Sequence, residues 1–445
     1  MQLSTKFNRK IDAILSRVLV VMIVAILQAC SSSGSSTDMT LDADTALGSD
    51  TATGSNTSTE SNSTADTGDI LIDEDVPVTA STLLDSSAIS VPGNLPAAGN
   101  AVLFDYTMEA VTGGTTTARA QLFEPALAPP EGGYPLVVWA RGTTGIANSC
   151  APSLSFEDFS NEVPINALLA SGYAVLAPDY EGFGTPAVHP YLLRASHANS
   201  VLAAIPAAHE IEGSQLTEEW ALVGHSQGGH VVLSTARAEQ NPDFPLQAAV
   251  ALAPATDLQA LSDRAFEEVD QALAEGDFNG AAERVFFLNV NGALVAQSFS
   301  SVNSELVPQN LFGDTVAELI DIALDEEFCG TFFDAVSDAL TEHVTGGGTL
   351  DNFAGLRRDW HTEPALADLL IQESFNDEVQ AAPLLVVQGD ADRQIPVAAT
   401  TAFVDTQTSV GTDVTLLVIP GGRHFDVAGD DFGLALDWLV QRFAP

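Results

Sequence analysis

Ser226 lies within Gly224-His225-Ser226-Gln227-Gly228, a G-x-S-x-G pattern that marks its hydroxyl as a candidate nucleophile. The apolar run Trp220-Ala221-Leu222-Val223 before it reads as a short buried strand. Val231, Val232 and Leu233 give the segment after it an apolar helical face. The serine is therefore expected at a strand-to-helix corner, where the backbone is strained and a Cβ at Gly224 or Gly228 would collide with its neighbours. A hydroxyl there does little alone. It needs a base within hydrogen-bond reach, an acid to orient that base, and N–H donors for a developing oxyanion.

On such a corner the acid and then the base come later in the chain. Gln388-Gly389-Asp390-Ala391-Asp392-Arg393-Gln394-Ile395-Pro396 follows an apolar run and offers two carboxylates. Asp392, with the spacing G-x-x-D-x-x-I-P, is the preferred acid, and Asp390 is read as a turn residue bonding its own loop. Pro420-Gly421-Gly422-Arg423-His424-Phe425-Asp426 carries the expected base, His424, on a glycine-rich loop between the last strand and the last helix. Position separates it from the other histidines. His225 and His230 flank the serine and read as local supports; His189, His197 and His209 precede it; His343 and His361 fall in a long insertion. The oxyanion donors are expected to be the Gln227 N–H and one N–H from either Arg141-Gly142-Thr143-Thr144-Gly145 or Asp179-Tyr180-Glu181-Gly182-Phe183-Gly184. No metal-binding spacing, phosphate loop or dinucleotide fingerprint occurs, so neither a metal nor a cofactor is implied.

These loops need a frame. Ala101–Tyr106 and Thr117–Phe123, around a Gly113-Gly114 turn, read as an antiparallel pair. Pro135–Ala140, Tyr173–Pro178, Trp220–Val223, Ala248–Ala253, Pro383–Gln388 and Val414–Ile419 are near-continuous apolar strands. Helix-like segments at Ile165–Leu169, Ser200–Ala208, Val231–Arg237 and Phe432–Phe443 alternate with them. That alternation predicts an α/β architecture, a mostly parallel sheet covered by helices on both faces. One interval breaks it: roughly 125 residues separate Ala255 from Ala382. Leu258, Leu261, Ala265, Val269 and Leu273 recur there at helical spacing, as do Val316, Leu319, Ile320 and Ala323. Residues 257–381 are expected to form a helical cap inserted between core parts 71–256 and 382–445.

The 445 residues carry 60 acidic and 15 basic side chains, a formal net charge of −45. Both lysines, Lys6 and Lys10, sit at the amino end. Such a surface argues against nucleic acid as a partner and suits salty water. Lys6, Arg9, Lys10 and Arg17 precede the apolar run Val18–Leu27, and Leu27-Gln28-Ala29-Cys30 follows as a lipobox-like tetrapeptide. Residues 1–29 are expected to be a lipoprotein signal peptide with Cys30 as the lipidation site. Ser31, in place of aspartate after the cysteine, points to the outer membrane of a bacterial envelope, with secretion as the alternative. Membrane attachment is expected through Cys30 only. Residues 30–70, rich in Ser, Thr and Asp, read as a disordered tether. The remaining cysteines, Cys150 and Cys329, either pair in an oxidising compartment or are two buried thiols.

Trp139-Ala140-Arg141-Gly142-Thr143-Thr144-Gly145, Cys150-Ala151-Pro152-Ser153, Ala177-Pro178-Asp179-Tyr180-Glu181-Gly182-Phe183-Gly184 and Gly224-His225-Ser226-Gln227-Gly228-Gly229 together resemble the secretory lipase family of α/β-hydrolases, similar to Candida lipase A and its bacterial relatives. The resemblance runs from about Leu95 to the carboxyl end. It implies an α/β-hydrolase fold, a triad of Ser226, Asp392 and His424, Asp179 and Gln227 at the oxyanion hole, and a cap with a lid. It also implies hydrolysis of carboxylic esters, often acylglycerols, so an ester or lipid is the expected substrate. A short-chain or polysaccharide-ester esterase, a peptidase on the same fold and a non-catalytic surface-binding lipoprotein are the other readings.

Overall fold

Strands apolar enough to be buried from end to end set the centre of the molecule. A computed structural model describes residues 81–154, 162–185, 187–238, 240–325, 329–375 and 378–445. The expected signal peptide, Cys30, the tether and the expected onset of order near Leu71 lie outside them. The strands are β1 (Leu83–Ala88), β2 (Ala98–Glu109), β3 (Thr115–Pro125), β4 (Tyr134–Ala140), β5 (Ala174–Pro178), β6 (Leu216–His225), β7 (Leu246–Leu252), β8 (Leu384–Gly389) and β9 (Val414–Ile419). They form one sheet in the order β1-β2-β3-β5-β4-β6-β7-β8-β9. The β1–β2, β2–β3 and β3–β5 pairings are antiparallel, and every pairing from β5–β4 to β8–β9 is parallel. β4, β5 and β8 are buried at every position, as parallel strands covered on both faces must be.

Side chains alternate across the sheet. Leu136, Val138 and Ala140 of β4 join one apolar cluster, and Val137 and Trp139 join another. Helices cover both clusters. α1 (Glu162–Ala170), α2 (Arg194–His209) and α3 (Gln227–Arg237) come first; α2 and α3 pack on the first cluster and α1 on the second.

Between β7 and β8 the chain builds its own core. α4 (Leu258–Glu275) starts where Asp257 accepts the Ala260 N–H at 2.8 Å. Gly276, at φ 80°, ends it. Leu258, Leu261, Ala265 and Val269 are buried as the spacing predicts, and Leu273 is half-buried. α5 (Phe278–Val302) follows at once, capped by Asp277 on the Gly280 N–H at 2.9 Å. Its 25 residues were not anticipated, because a helix apolar on nearly every face shows little periodicity. By length and composition it could cross a membrane, with a mean hydropathy of 1.3 over its most apolar window, yet 72% of that window is buried inside the protein.

The expected helical face at Val316, Leu319, Ile320 and Ala323 is corrected. One turn, α6 (Asp314–Ala317), gives way to a 3₁₀ turn at Ile320–Leu324. Neighbouring chain takes a polar group that a longer helix would use: the Ile320 carbonyl accepts from the Gln297 amide at 3.2 Å, while the first-turn Val316 N–H donates to the Ala354 carbonyl at 3.2 Å. Val316, Ile320 and Ala323 are buried all the same. α7 (Thr331–Thr345) and α8 (Pro364–Gln372) complete this layer, and α9 (Val397–Val410) and α10 (Phe432–Arg442) return to the sheet. A Cys150–Cys329 disulfide joins the segment after β4 to the one before α7.

Candidate active site

The strained corner is present. Ser226 joins β6 to α3 at φ 58° and ψ −114°, a backbone conformation that is costly for a residue with a Cβ. Its glycines are there because nothing larger fits. A Cβ on Gly224 would fall on the Gly228 carbonyl, and one on Gly228 on the Ala140 carbonyl. β6, β4 and α3 thereby meet at backbone contact directly beneath the serine.

Three side chains converge from three places. His424, on the loop after β9, has Nε2 at 2.9 Å from Ser226 Oγ. Its Nδ1 lies 2.8 Å from Asp392 Oδ2, on the loop after β8. With Nδ1–H donating to the carboxylate, Nε2 is left to accept the serine hydroxyl. Asp392 is fully engaged: Oδ1 accepts from the Gln394 and Ile395 N–H groups at 2.8 and 2.9 Å, and Oδ2 also from the Gln388 amide at 2.9 Å. Burial pushes this carboxyl up, but the imidazole of His424 and these N–H donors outweigh it and hold the group below its ordinary value.

Gln388 was not singled out from the sequence. Its signal is a lone amide at the end of the apolar run Leu384–Val387. Fully buried, it donates to Asp392 and to the Ile395 carbonyl and accepts from Thr400 Oγ1 at 2.8 Å. His225 is the expected local support. Its Nε2–H donates to the His424 carbonyl at 2.8 Å, and burial holds the ring neutral by lowering its pKa to about 3. Asp390 does not bond its own loop as expected. It accepts the Gly421 N–H at 2.6 Å and so ties the acid loop to the histidine loop.

Of the two loops offered for the oxyanion, the structure brings only Arg141–Gly145 to the serine. A Cβ on Gly142 would stand 3.9 Å from Ser226 Cβ. The Asp179 assignment is corrected: β4 lies between β5 and β6, which puts Asp179 one strand away. Its N–H donates to the Arg119 carbonyl at 2.9 Å, and Oδ1 accepts from the Ser153 N–H at 2.9 Å. Burial beside the Arg141 guanidinium raises its carboxyl, because desolvation exceeds the attraction. Gln227 is the first residue of α3, so its N–H has no acceptor within the helix and sits at the positive end of the helix dipole.

Above Ser226 and Gln227 opens a cleft with Tyr191, Leu258, Leu261, Phe287, Leu356 and Ile395 among its walls. α4 and α5 supply much of this lining. Among the described residues no group of three or more His, Cys, Asp or Glu side chains is placed to hold a metal ion.

Known proteins share this frame. The chain is similar in structure to the rice cell wall degrading esterase LipA of Xanthomonas oryzae, at a TM-score of 0.62 and 18% identity over 81% of this chain and 99% of that one. Candida antarctica lipase A gives a TM-score of 0.62 at 15% identity, over 82% of this chain and 81% of that one. A putative hydrolase from Legionella pneumophila gives 0.61 at 17% identity, over 81% and 98%. None of the curated proteins compared matches the sequence. The alpha/beta hydrolase family model, in contrast, matches residues 91–432, a span that holds the serine corner, the acid loop and the histidine loop; the chain belongs to that family.

Proposed function

We propose that this protein is a serine carboxylic-ester hydrolase, a lipase-like esterase working through Ser226, His424 and Asp392. One observation carries the reading: His424 bridges Ser226 and Asp392 at 2.9 and 2.8 Å on the floor of an apolar cleft. Ser226 Oγ attacks the ester carbonyl as its proton passes to His424 Nε2. Asp392 holds the imidazole in the accepting tautomer and stabilises the imidazolium. The oxyanion is received by the Gln227 N–H and the loop after β4. His424 then gives its proton to the leaving alcohol. Water, deprotonated by the same histidine, releases the acid from the acyl-enzyme.

The leucines, Phe287 and Ile395 lining the cleft favour an aliphatic acyl group over a polar one. A polysaccharide-linked ester, suggested by the cell-wall esterase among the similar structures, would place its sugar outside this lining. In our reading Cys30 anchors the enzyme at the outer membrane, and incorporation of a fatty-acid analogue at that cysteine tests the placement.

The direct test is labelling by a fluorophosphonate. Ser226 is expected to be the modified residue, and Ser226→Ala to abolish labelling. An unlabelled wild-type protein would favour a binding role. A panel of p-nitrophenyl esters of rising chain length, then triacylglycerol emulsions, fixes the acyl preference; turnover confined to the shortest chains would remove the lipase description.

A further inference from the structure

Three histidines are buried under the nucleophile corner, and the triad uses none of them. His189 on the loop before α2, His197 in α2 and His230 in α3 are each 0% exposed. His189 and His197 meet the side chain of Gln227, itself buried, and His230 joins them through His197. The Gln227 amide nitrogen lies 2.7 Å from His189 Nε2 and 3.3 Å from His197 Nε2. His197 Nδ1 lies 3.0 Å from His230 Nδ1.

The protons in this chain can be assigned. His189 Nδ1 sits 2.8 Å from the Glu181 carbonyl, which only accepts, so Nδ1 carries the proton. A neutral His189 then has a bare Nε2, and the Gln227 atom facing it must be the donating nitrogen, which fixes the orientation of the amide. The second amide hydrogen goes to His197 Nε2. His197 therefore carries its proton on Nδ1 and donates to His230 Nδ1, and His230 keeps its own proton on Nε2. That last atom is buried with no partner, beside the Phe375 ring at 4.9 Å between centroids. The chain of donors runs outward from Gln227 and ends unsatisfied.

Gln227 is also the residue whose backbone N–H receives the oxyanion in the proposed mechanism. Its side chain is gripped from two elements, the loop before α2 and α2 itself, and neither belongs to the serine corner. We propose that His189 and His197 are positioning residues that hold the Gln227 N–H in oxyanion-binding geometry, with His230 fixing the tautomer of His197. The proposal rests on the Ser226 acyl-transfer reading.

The rings must stay neutral for this to work, since a protonated His189 or His197 has no lone pair for Gln227. Their surroundings enforce neutrality. Burial lowers His189 to about 4 and His230 to about 3, and it holds His197 well below the ordinary value. Arg194 of α2 adds repulsion at His230, and the neighbouring rings add it at His197. The Glu181 carboxylate faces away, accepting the Val111 N–H at 3.0 Å, and Tyr180 stacks on His189 at 5.8 Å.

The test compares His197→Phe, which keeps the ring volume without an acceptor, with His197→Gln, which restores an acceptor toward Gln227 and a donor toward His230. On a p-nitrophenyl ester, His197→Phe is expected to lose about 10-fold in kcat with KM within about 2-fold, less than the loss of an oxyanion donor itself. His197→Gln is expected to stay within about 3-fold of wild type, and fluorophosphonate labelling of Ser226 to slow in parallel with kcat. Gln227→Met, which removes the side-chain donor and leaves the backbone N–H, is expected to match His197→Phe and serves if the latter does not fold. Unchanged kcat in His197→Phe or Gln227→Met overturns the proposal, as does a change confined to KM. A wild-type protein that neither hydrolyses esters nor takes the label overturns the acyl-transfer reading instead. Independently, long-range ¹H–¹⁵N spectra of histidine-labelled protein should show Nδ1–H for His189 and His197 and Nε2–H for His230; Nε2–H at His197 would also overturn the assignment.

Discussion

The serine corner and the cap are built on opposite rules. At the corner the positioning contacts are close backbone approaches and hydrogen bonds between polar side chains: Gly224, Gly228 and Ala140 touch, and Asp392, His424 and Ser226 are linked at 2.8 and 2.9 Å. In the cap, α4 and α5 meet through leucines, alanines and phenylalanines, with Asp257 and Asp277 as caps. Geometry at the corner is fixed by contacts that tolerate no added atom, whereas apolar packing in the cap accepts exchange of side chains at constant volume. The fold is thus least permissive where Ser226, His424 and Asp392 meet and most permissive in the layer between β7 and β8.

The largest effects should fall at the corner. Ser226→Ala is expected to cut kcat by on the order of 10⁴- to 10⁶-fold with the melting temperature nearly unchanged. Asp392→Asn should cost on the order of 10⁴-fold, because the amide presents a donor to Nδ1 and turns His424 to the wrong tautomer. Activity within 10-fold of wild type in either variant would erase the distinction between the two regions.

Acid should also act on the corner side. His189, His225 and His230 are held neutral in the fold at about 4, 3 and 3, while the unfolded chain takes up protons from about pH 6.5. Folded values below unfolded ones mean stability that is complete above pH 6.5 and withdrawn as pH falls toward 4 and then 3. Asp392, also held below its ordinary value, adds to the loss at the acid end. The slope should approach about 1 kcal/mol per pH unit for each buried histidine. Urea midpoints at pH 8, 6.5 and 5 check this; a midpoint that rises toward pH 5 would reverse it.

Cap perturbations should be smaller and different in kind. Cys150→Ser with Cys329→Ser is expected to lower stability by about 2–5 kcal/mol while Ser226 remains reactive to fluorophosphonate. Trp360→Phe removes the indole donor that reaches Ser262 Oγ at 2.9 Å in the cleft wall. It should cost about 1–2 kcal/mol and shift KM and chain-length preference more than kcat. A fall in kcat with no change in KM would make the cap part of the catalytic geometry.

The same contrast explains what could be read from residues alone. The convergence of Ser226, Asp392 and His424 was legible because chain order, glycine spacing and strand ends are one-dimensional signals of a three-dimensional corner. The parallel strands β4, β5 and β8 were legible because full burial on both faces leaves a continuous apolar run. α5 was hidden for the opposite reason: burial on nearly every side removes its period. Asp179 was misplaced because sheet order is not chain order, and β4 inserts between β5 and β6. Gln388 and the histidines beneath Gln227 act through pairings between distant elements, 12 residues apart for Gln388–Thr400 and 38 for Gln227–His189, and no local pattern encodes such partners.

The Cys150–Cys329 bond also divides the chain topologically, into a closed ring between the two cysteines, 179 residues apart, and two open arms. Ser226 and Gln227 lie on the ring, Gly142 on the amino arm, and Asp392 and His424 on the carboxyl arm. No one length holds Ser226, His424, Gly142 and Gln227 together. A single proteolytic cut within the ring leaves every piece covalently joined until the bond is reduced. A single cut between Thr331 and Ala382 leaves the arm that carries Asp392 and His424 without a covalent link to the rest. Two nicks in the same cap layer thus differ in outcome according to which side of Cys329 they fall.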